Sequence, residues 1–113
     1  MRMQVTGVDD KITKVTLNGR LDTPGVGQIE TLFVATLVPA GKSAIVDLSD
    51  VEFVASLGIR MLMSAARGMR QRQAKLALYN VRPLVREVFD TVALSDIIPI
   101  GSDEDDARRL VSS

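Results

Sequence analysis

Ser56 is the residue of this sequence whose type and position point most directly to chemistry. It follows the apolar run IVDL at 45–48 and a short polar turn, and it stands just before the amphipathic segment GIRML at 58–62. A serine hydroxyl at a helix start can cap the first backbone N–H groups. It can also carry a phosphoryl group, whose charge those N–H groups stabilise. The sequence therefore leaves two interpretations of Ser56, a helix cap or a site of modification.

The missing residue types exclude most enzymatic interpretations of that serine. The chain contains no histidine, so a Ser-His-Asp triad is impossible and the commonest general base and metal ligand are absent. Val54 replaces the first glycine of a G-x-S-x-G elbow, and Glu30 replaces the third glycine of a dinucleotide fingerprint that would begin at Gly25. We therefore expect a protein that is not an enzyme and that needs no metal or cofactor.

Composition predicts one compact globular domain. The chain has 113 residues, of which 46% are hydrophobic and 25% charged. Its 14 basic and 14 acidic residues cancel, which argues against nucleic acid or a membrane surface as the partner and favours other proteins. There is no cysteine, the first residues lack the apolar centre of a signal peptide, and no apolar run is long enough to cross a bilayer. We expect a cytoplasmic protein.

The pattern of apolar residues predicts the elements that position Ser56. Alternation over 3–8 and 12–17 indicates a hairpin, and the turn residues at 18–19 and 22–25 end its second strand and begin a helix to about Leu37. A buried strand over 43–48 leads to the helix that begins near Ser56. A strand over 75–79, a helix from Pro83 to about Thr91, a strand over 97–100 and a helix capped by Ser102 complete the chain. This order predicts an α/β fold: an opening hairpin, then alternating helices and strands in a mixed sheet with about four helices packed on it.

Helical periodicity divides the segment after Ser56 into two faces. Residues on one side are predicted to face the sheet, and Ser56, Arg60, Met63 and Arg67 form a stripe on the outer side. The buried side is predicted to consist of Ile59, Leu62, Ala65, Ala66, Met69 and Gln73.

Two segments and the order of the elements resemble a known family. LNGRLD at 17–22 and IVDLSDVEFVASLGIRML at 45–62 look like the STAS family, the domain of bacterial anti-sigma factor antagonists. The resemblance covers nearly the whole chain, so residues 1–113 are interpreted as a single STAS-like domain. In that family an Asp-Ser-x-Gly turn follows a strand that ends Asp-Leu-Ser, and an anti-sigma factor with kinase activity phosphorylates its serine. Ser56 and Gly58 match this serine and glycine.

The chain departs from the family pattern beside the serine. The acidic residue that precedes it in the family is Ala55 here, Leu57 replaces a small polar residue, and Arg60 stands where glycine is frequent. The resemblance implies a partner-binding surface, which we predict to comprise Asp22, Ser56, Leu57, Gly58, Arg60, Met63 and Arg67. Asp22 and Asp47 match acidic positions of the family, and both are equally plausible as turn or strand-end residues.

The resemblance implies a partner-switching regulator. In this hypothesis the unphosphorylated chain binds an anti-sigma factor with serine kinase activity, or an equivalent kinase, and phosphorylation of Ser56 releases it. A phosphatase acting on the same chain is a further candidate partner. The alternative, favoured by Ala55, is a STAS docking subunit of a transporter or signalling scaffold that is not phosphorylated.

Overall fold

Five strands form one mixed sheet whose spatial order follows the chain. The first two strands pair antiparallel as a hairpin, and every later neighbour is parallel, with a helix in each parallel connection. The computed structural model describes residues 1–112. Its strands are β1 (Arg2–Val8), β2 (Ile12–Leu21), β3 (Ser43–Val54), β4 (Leu76–Tyr79) and β5 (Ile100–Gly101).

Four helices accompany this sheet, so the predicted α/β architecture is confirmed. They are α1 (Thr23–Leu37), α2 (Ser56–Arg70), α3 (Pro83–Thr91) and α4 (Glu104–Val111), and a short 3-10 turn, Leu94–Asp96, precedes β5. Within the described part of the chain, none of the helices combines the length and apolar character needed to cross a bilayer.

The sheet separates two hydrophobic clusters because successive side chains of a strand point to opposite faces. On one face α1, α2 and α3 bury Phe33, Leu62 and Phe89 against the strands. On the other face α4 packs Ala107 and Val111 on the sheet. The strand residues of this second cluster are Ile12, Ile45, Ala77 and Tyr79. Burial raises the pKa of the Tyr79 phenol, which therefore stays neutral.

The second and third strands are longer than predicted. Asn18-Gly19 was expected to end β2, but the strand continues to Leu21 because Gly19 adopts a φ of +119° and the pairing with β3 shifts register there. β3 likewise continues to Val54, through the segment that the sequence predicts as a polar turn. The extra length carries both strands to the same point, beside the start of α2.

The last strand and the last helix begin later than predicted. Of the expected strand over 97–100 only Ile100 lies in β5, because the N–H groups of Ile97 and Ile98 donate to the carbonyl of Leu94 instead. Ser102 is not the cap of α4. Asp103 takes that position, since its carboxylate accepts a hydrogen bond from the Asp106 N–H at 2.8 Å.

Candidate functional site at the start of helix α2

The parallel pairing of β2 and β3 brings two helix starts together. Leu21 and Val54 are register partners at the ends of these strands, and the Ala55 N–H donates to the Leu21 carbonyl at 2.9 Å. One N-cap residue follows each strand end, Asp22 after Leu21 and Ala55 after Val54, and helices α1 and α2 then begin. Both N-termini therefore lie side by side at one edge of the sheet, where the carboxyl ends of parallel strands meet.

Ser56 does not cap helix α2, so that interpretation is wrong. The N-cap position belongs to Ala55, and Ser56 is the first residue inside the helix. Its side chain is exposed, and within residues 1–112 its hydroxyl makes no hydrogen bond. The phase argument that placed this serine on the outer stripe is confirmed, and the hydroxyl is accessible to another protein.

The backbone around Ser56 is suited to an anion. The N–H groups of Gly58 and Ile59 donate to the Ala55 carbonyl. Those of Ser56 and Leu57 precede the first helical hydrogen bond, so they can donate to an acceptor outside the helix. The first turn of α2 contains no acidic residue. The positive end of the helix dipole is therefore not neutralised locally, and a negative group there gains favourable electrostatic interactions.

Gly58 holds α2 against the end of β2. It is buried, and a Cβ atom added to it would lie 2.9 Å from both the Cβ and the carbonyl oxygen of Leu21 and 3.0 Å from a methyl group of Val54. Contacts below 3.0 Å require the neighbouring atoms to move. Gly58 thus offers no side chain to a partner. It sets how close Ser56 lies to the sheet.

Asp22 caps the neighbouring helix. Its Oδ1 accepts the Gly25 N–H at 2.9 Å, and its Oδ2 accepts Arg20 Nε at 3.3 Å. The Gly25 hydrogen bond, helped by Arg20, holds the pKa of this carboxyl below its usual value. Asp22 therefore stays ionised at the edge that also carries Ser56, with part of its hydrogen-bonding capacity already used.

Asp47 has different neighbours. Its carboxylate accepts the Ser49 N–H at 2.9 Å and lies 3.5 Å from the Asn80 amide. These contacts join β3 to the loop after β4. Of the two acidic residues that match the family, only Asp22 lies at a helix start beside Ser56.

Phe53 and Arg20 form an exposed pair near the ends of β3 and β2, which sequence reasoning missed. Phe53 is 39% exposed, and the guanidinium of Arg20, its register partner on β2, lies 4.5 Å from the centre of the ring. Leu57 is 36% exposed close by in sequence. One feature of the sequence could have indicated that Phe53 is exposed. The apolar residues Val51 and Val54 are three positions apart, which breaks the two-residue alternation of a strand.

The outer stripe of α2 is as predicted. Arg60 and Arg67 are exposed and Met63 is half-buried. Five of the six residues predicted to face inward are buried, and so is Met61, which was not predicted. The five are Ile59, Leu62, Ala65, Ala66 and Met69. Gln73 is the exception. It lies beyond the helix, with φ +62°, and is exposed.

Comparison with known proteins identifies the family. The family described as "Mlab, STAS domain" matches residues 4–99. The relative BtrV of Bordetella bronchiseptica, named as an anti-sigma factor antagonist, is 25% identical over 107 residues, which cover 95% of this chain and 91% of BtrV.

Two solved structures share the fold. The anti-sigma factor antagonist of Thermotoga maritima superposes with a TM-score of 0.85 at 17% identity, covering 95% of this chain and 92% of its own. The Bacillus cell fate determinant SpoIIAA in its phosphorylated form gives a TM-score of 0.70 at 22% identity, covering 96% and 99%. Because the family match extends from within β1 to the residue before β5, the chain belongs to the STAS domain family.

Proposed function

We propose that this protein is an anti-sigma factor antagonist that works by partner switching, with Ser56 as the switch. The unmodified surface around Ser56 binds an anti-sigma factor with serine kinase activity and so releases that factor's other client. Phosphorylation of Ser56 ends the interaction. The observation that carries this proposal is the exposed hydroxyl of Ser56 at a helix start that has no side-chain cap.

In the modification step this chain is the substrate. The Ser56 Oγ attacks the γ-phosphorus of ATP, the bond from that phosphorus to the β,γ-bridging oxygen breaks, and ADP leaves. The proton of the hydroxyl passes to a base of the kinase. No residue of this chain needs to act as a catalyst, which agrees with its role as a binding protein.

The phosphorylated fold is expected to remain intact. A phosphoserine at position 56 lies beside the N–H groups of Ser56 and Leu57, which lack intrahelical acceptors, and at the positive end of α2. Arg60 is one turn further along the same face, without an ion-pair partner among residues 1–112. It can reach the phosphate from within the chain.

Binding, in contrast, is expected to be lost. The unmodified surface presents the small neutral hydroxyl of Ser56, and the next residue, the apolar Leu57, is 36% exposed. Phosphorylation adds between one and two negative charges that an interface fitted to the hydroxyl leaves unpaired, at a cost of roughly 3 kcal/mol or about a hundredfold in affinity. The fold persists while the complex dissociates.

The test combines mapping and binding. The protein is incubated with its cognate kinase and ATP, the modified residue is identified by mass spectrometry, and the affinities of Ser56→Ala and Ser56→Asp for the kinase are compared. Ser102→Asp is the matched control, because Ser102 is also exposed near a helix start but lies before α4. We expect Ser56→Asp alone to lose binding. Equal affinities of Ser56→Asp and the unmodified chain contradict the proposal.

One result would favour the docking-subunit alternative. If protein isolated from its own cells carries no phosphate on Ser56 and co-purifies with a transporter, the surface serves permanent assembly. Ala55 is the residue that favours this outcome, since the resemblance places an acidic residue there.

A further inference from the structure

A groove runs between the C-terminal half of α2 and the segment that leads into β5. Its volume is about 440 Å³. It continues into a smaller recess of about 240 Å³, because Arg70 and Ile97 line both. Met63 and Arg67 complete the recess. The apolar residues of the main groove are Ala66, Ala74, Leu76, Ile97 and Pro99.

The walls of this groove are fixed by the backbone. Gln73 takes a left-handed conformation, φ +62°, and the N–H of Ala74 returns to the Met69 carbonyl at 2.9 Å. On the other side the Pro99 carbonyl accepts the Leu78 N–H at 3.0 Å. Backbone contacts therefore define the shape of the groove, as in the largely pre-formed sites that bind small molecules.

The charge along the groove has one sign. The sequence from Phe53 to Arg86 contains no acidic residue. Within residues 1–112, Arg67 and Arg70 have no ion-pair partner, whereas Arg86 and Arg108 pair with carboxylates. Arg67 and Arg70 lie three residues apart on one helix, so their charges repel each other. The helix dipole favours cations in this last turn, but it does not explain why they border an apolar groove.

We propose that this groove binds a small amphiphilic anion, a carboxylate or phosphate carried on a short apolar chain. The groove volume lies in the range of roughly 300–1,000 Å³ that ligand sites occupy. Ile97, 38% exposed, and Leu76 receive the apolar part. The planar fork of Arg70 binds the charged head, since guanidinium groups match carboxylate and phosphate geometry. An anion there also relieves the repulsion between Arg67 and Arg70.

This site is separate from the switch, and the proposal does not depend on phosphorylation of Ser56. Arg70 lies in the last turn of α2 and Ser56 in the first. Arg67 belongs both to the recess and to the predicted partner stripe, so we test the ligand through Arg70 alone.

The experiment follows backbone amide signals of the full chain by NMR during titration with octanoate, octyl phosphate, octanol and octylammonium. We expect saturable shifts at Ala66, Ala74 and Ile97 with octanoate or octyl phosphate, and the stronger of the two identifies the head group. Octanol and octylammonium should cause no such shifts. Arg70→Gln should raise the dissociation constant about tenfold, because it removes a charged hydrogen-bonding partner.

Arg60→Gln is the matched control, since it removes an exposed arginine of the same helix outside the groove. The dissociation constant of the anion for Arg60→Gln should equal that for the unmodified chain. Thermal unfolding verifies that both variants are folded. The proposal is overturned if octanol binds as well as the anions or if binding survives Arg70→Gln. It is also overturned if the shifts are confined to another surface, or if neither anion causes a saturable shift.

Discussion

The starts of helices α2 and α4 differ in how their first backbone N–H groups are capped. Both helices follow a parallel strand, and both rest on a close backbone approach, at Gly58 for α2 and at Gly101 for α4. At α4, Asp103 accepts the Asp106 N–H, while Asp106 accepts the Ser102 N–H at 2.9 Å. At α2 no side chain caps the helix.

This difference indicates what each helix start can do. At α4 a carboxylate already accepts the Asp106 N–H, and the acidic residues of its first turn interact favourably with the helix dipole. The start of α2 keeps the same groups available beside an exposed serine. A phosphate is therefore accommodated at α2 and repelled at α4, although both helices begin near a serine.

The largest expected effect comes from moving α2 away from the sheet. Gly58→Ala places a methyl group 2.9 Å from Leu21, so the helix start must shift, and we expect the free energy of unfolding to fall by about 2 kcal/mol. The matched control is Gly27→Ala in α1, where no atom lies within 4 Å and stability should rise by about 0.5–1 kcal/mol. Urea denaturation measures both. Equal effects of the two substitutions would show that α2 does not depend on this approach.

A smaller loss is expected when the cap of α4 is removed. Asp103→Ala breaks the hydrogen bond to the Asp106 N–H and should lower stability by about 1 kcal/mol. Partner binding through Ser56 should be unchanged, which isothermal titration measures. Reduced binding would mean that the two helix starts are not independent.

The reverse change gives α2 a cap. Ala55 has extended backbone angles suitable for an N-cap, so Ala55→Asp should raise stability by about 0.5 kcal/mol or more. The new carboxylate would also compete with a phosphate for the same N–H groups. We therefore expect Ala55→Asp phosphorylated on Ser56 to be less stable than Ala55→Asp without phosphate, as measured by thermal unfolding. Any stabilisation of Ala55→Asp by the phosphate would contradict this.

The smallest effect concerns acid pH. The Ser102 N–H and then Arg109 hold the pKa of Asp106 below its ordinary value of 3.8. Its stabilisation of α4 is thus complete above that value and is lost as pH falls through the lowered pKa. Hydrogen exchange in α4 should accelerate in that range while α2, which has no carboxylate at its start, keeps its protection. Asp106→Asn should weaken the pH dependence at α4, and an unchanged profile would contradict the assignment.

Much of the fold could be predicted because its signals are local. Alternation in the hairpin, Pro83 at a helix start and the apolar stripe of α2 predict elements that agree with the structure, and the STAS family assignment is confirmed. The errors lie where two strands determine the result together. The register shift at Gly19, the length of β3 and the exposure of Phe53 depend on pairing between β2 and β3, which no single segment encodes.

The candidate site was predictable to the same extent. Helical phase places Ser56 on the outer face of α2, and the structure agrees. The sequence could not show whether Ser56 is the N-cap of α2 or its first helical residue. That depends on whether the chain enters the helix after Ala55 or after Ser56. Phosphorylation of Ser56 stays a prediction. So does the partner-binding role of the predicted surface, which comprises Asp22, Ser56, Leu57, Gly58, Arg60, Met63 and Arg67.

The acid-free stretch from Phe53 to Arg86 also affects how partners approach. The whole chain has 14 basic and 14 acidic residues, so its formal net charge is zero. The arginines of α2 nevertheless lie on one face of the sheet, and Asp103–Asp106 begin the helix on the other. An uneven distribution of charge of this kind can orient a charged partner before contact. Added salt should therefore slow productive encounters even for a protein that is neutral as a whole.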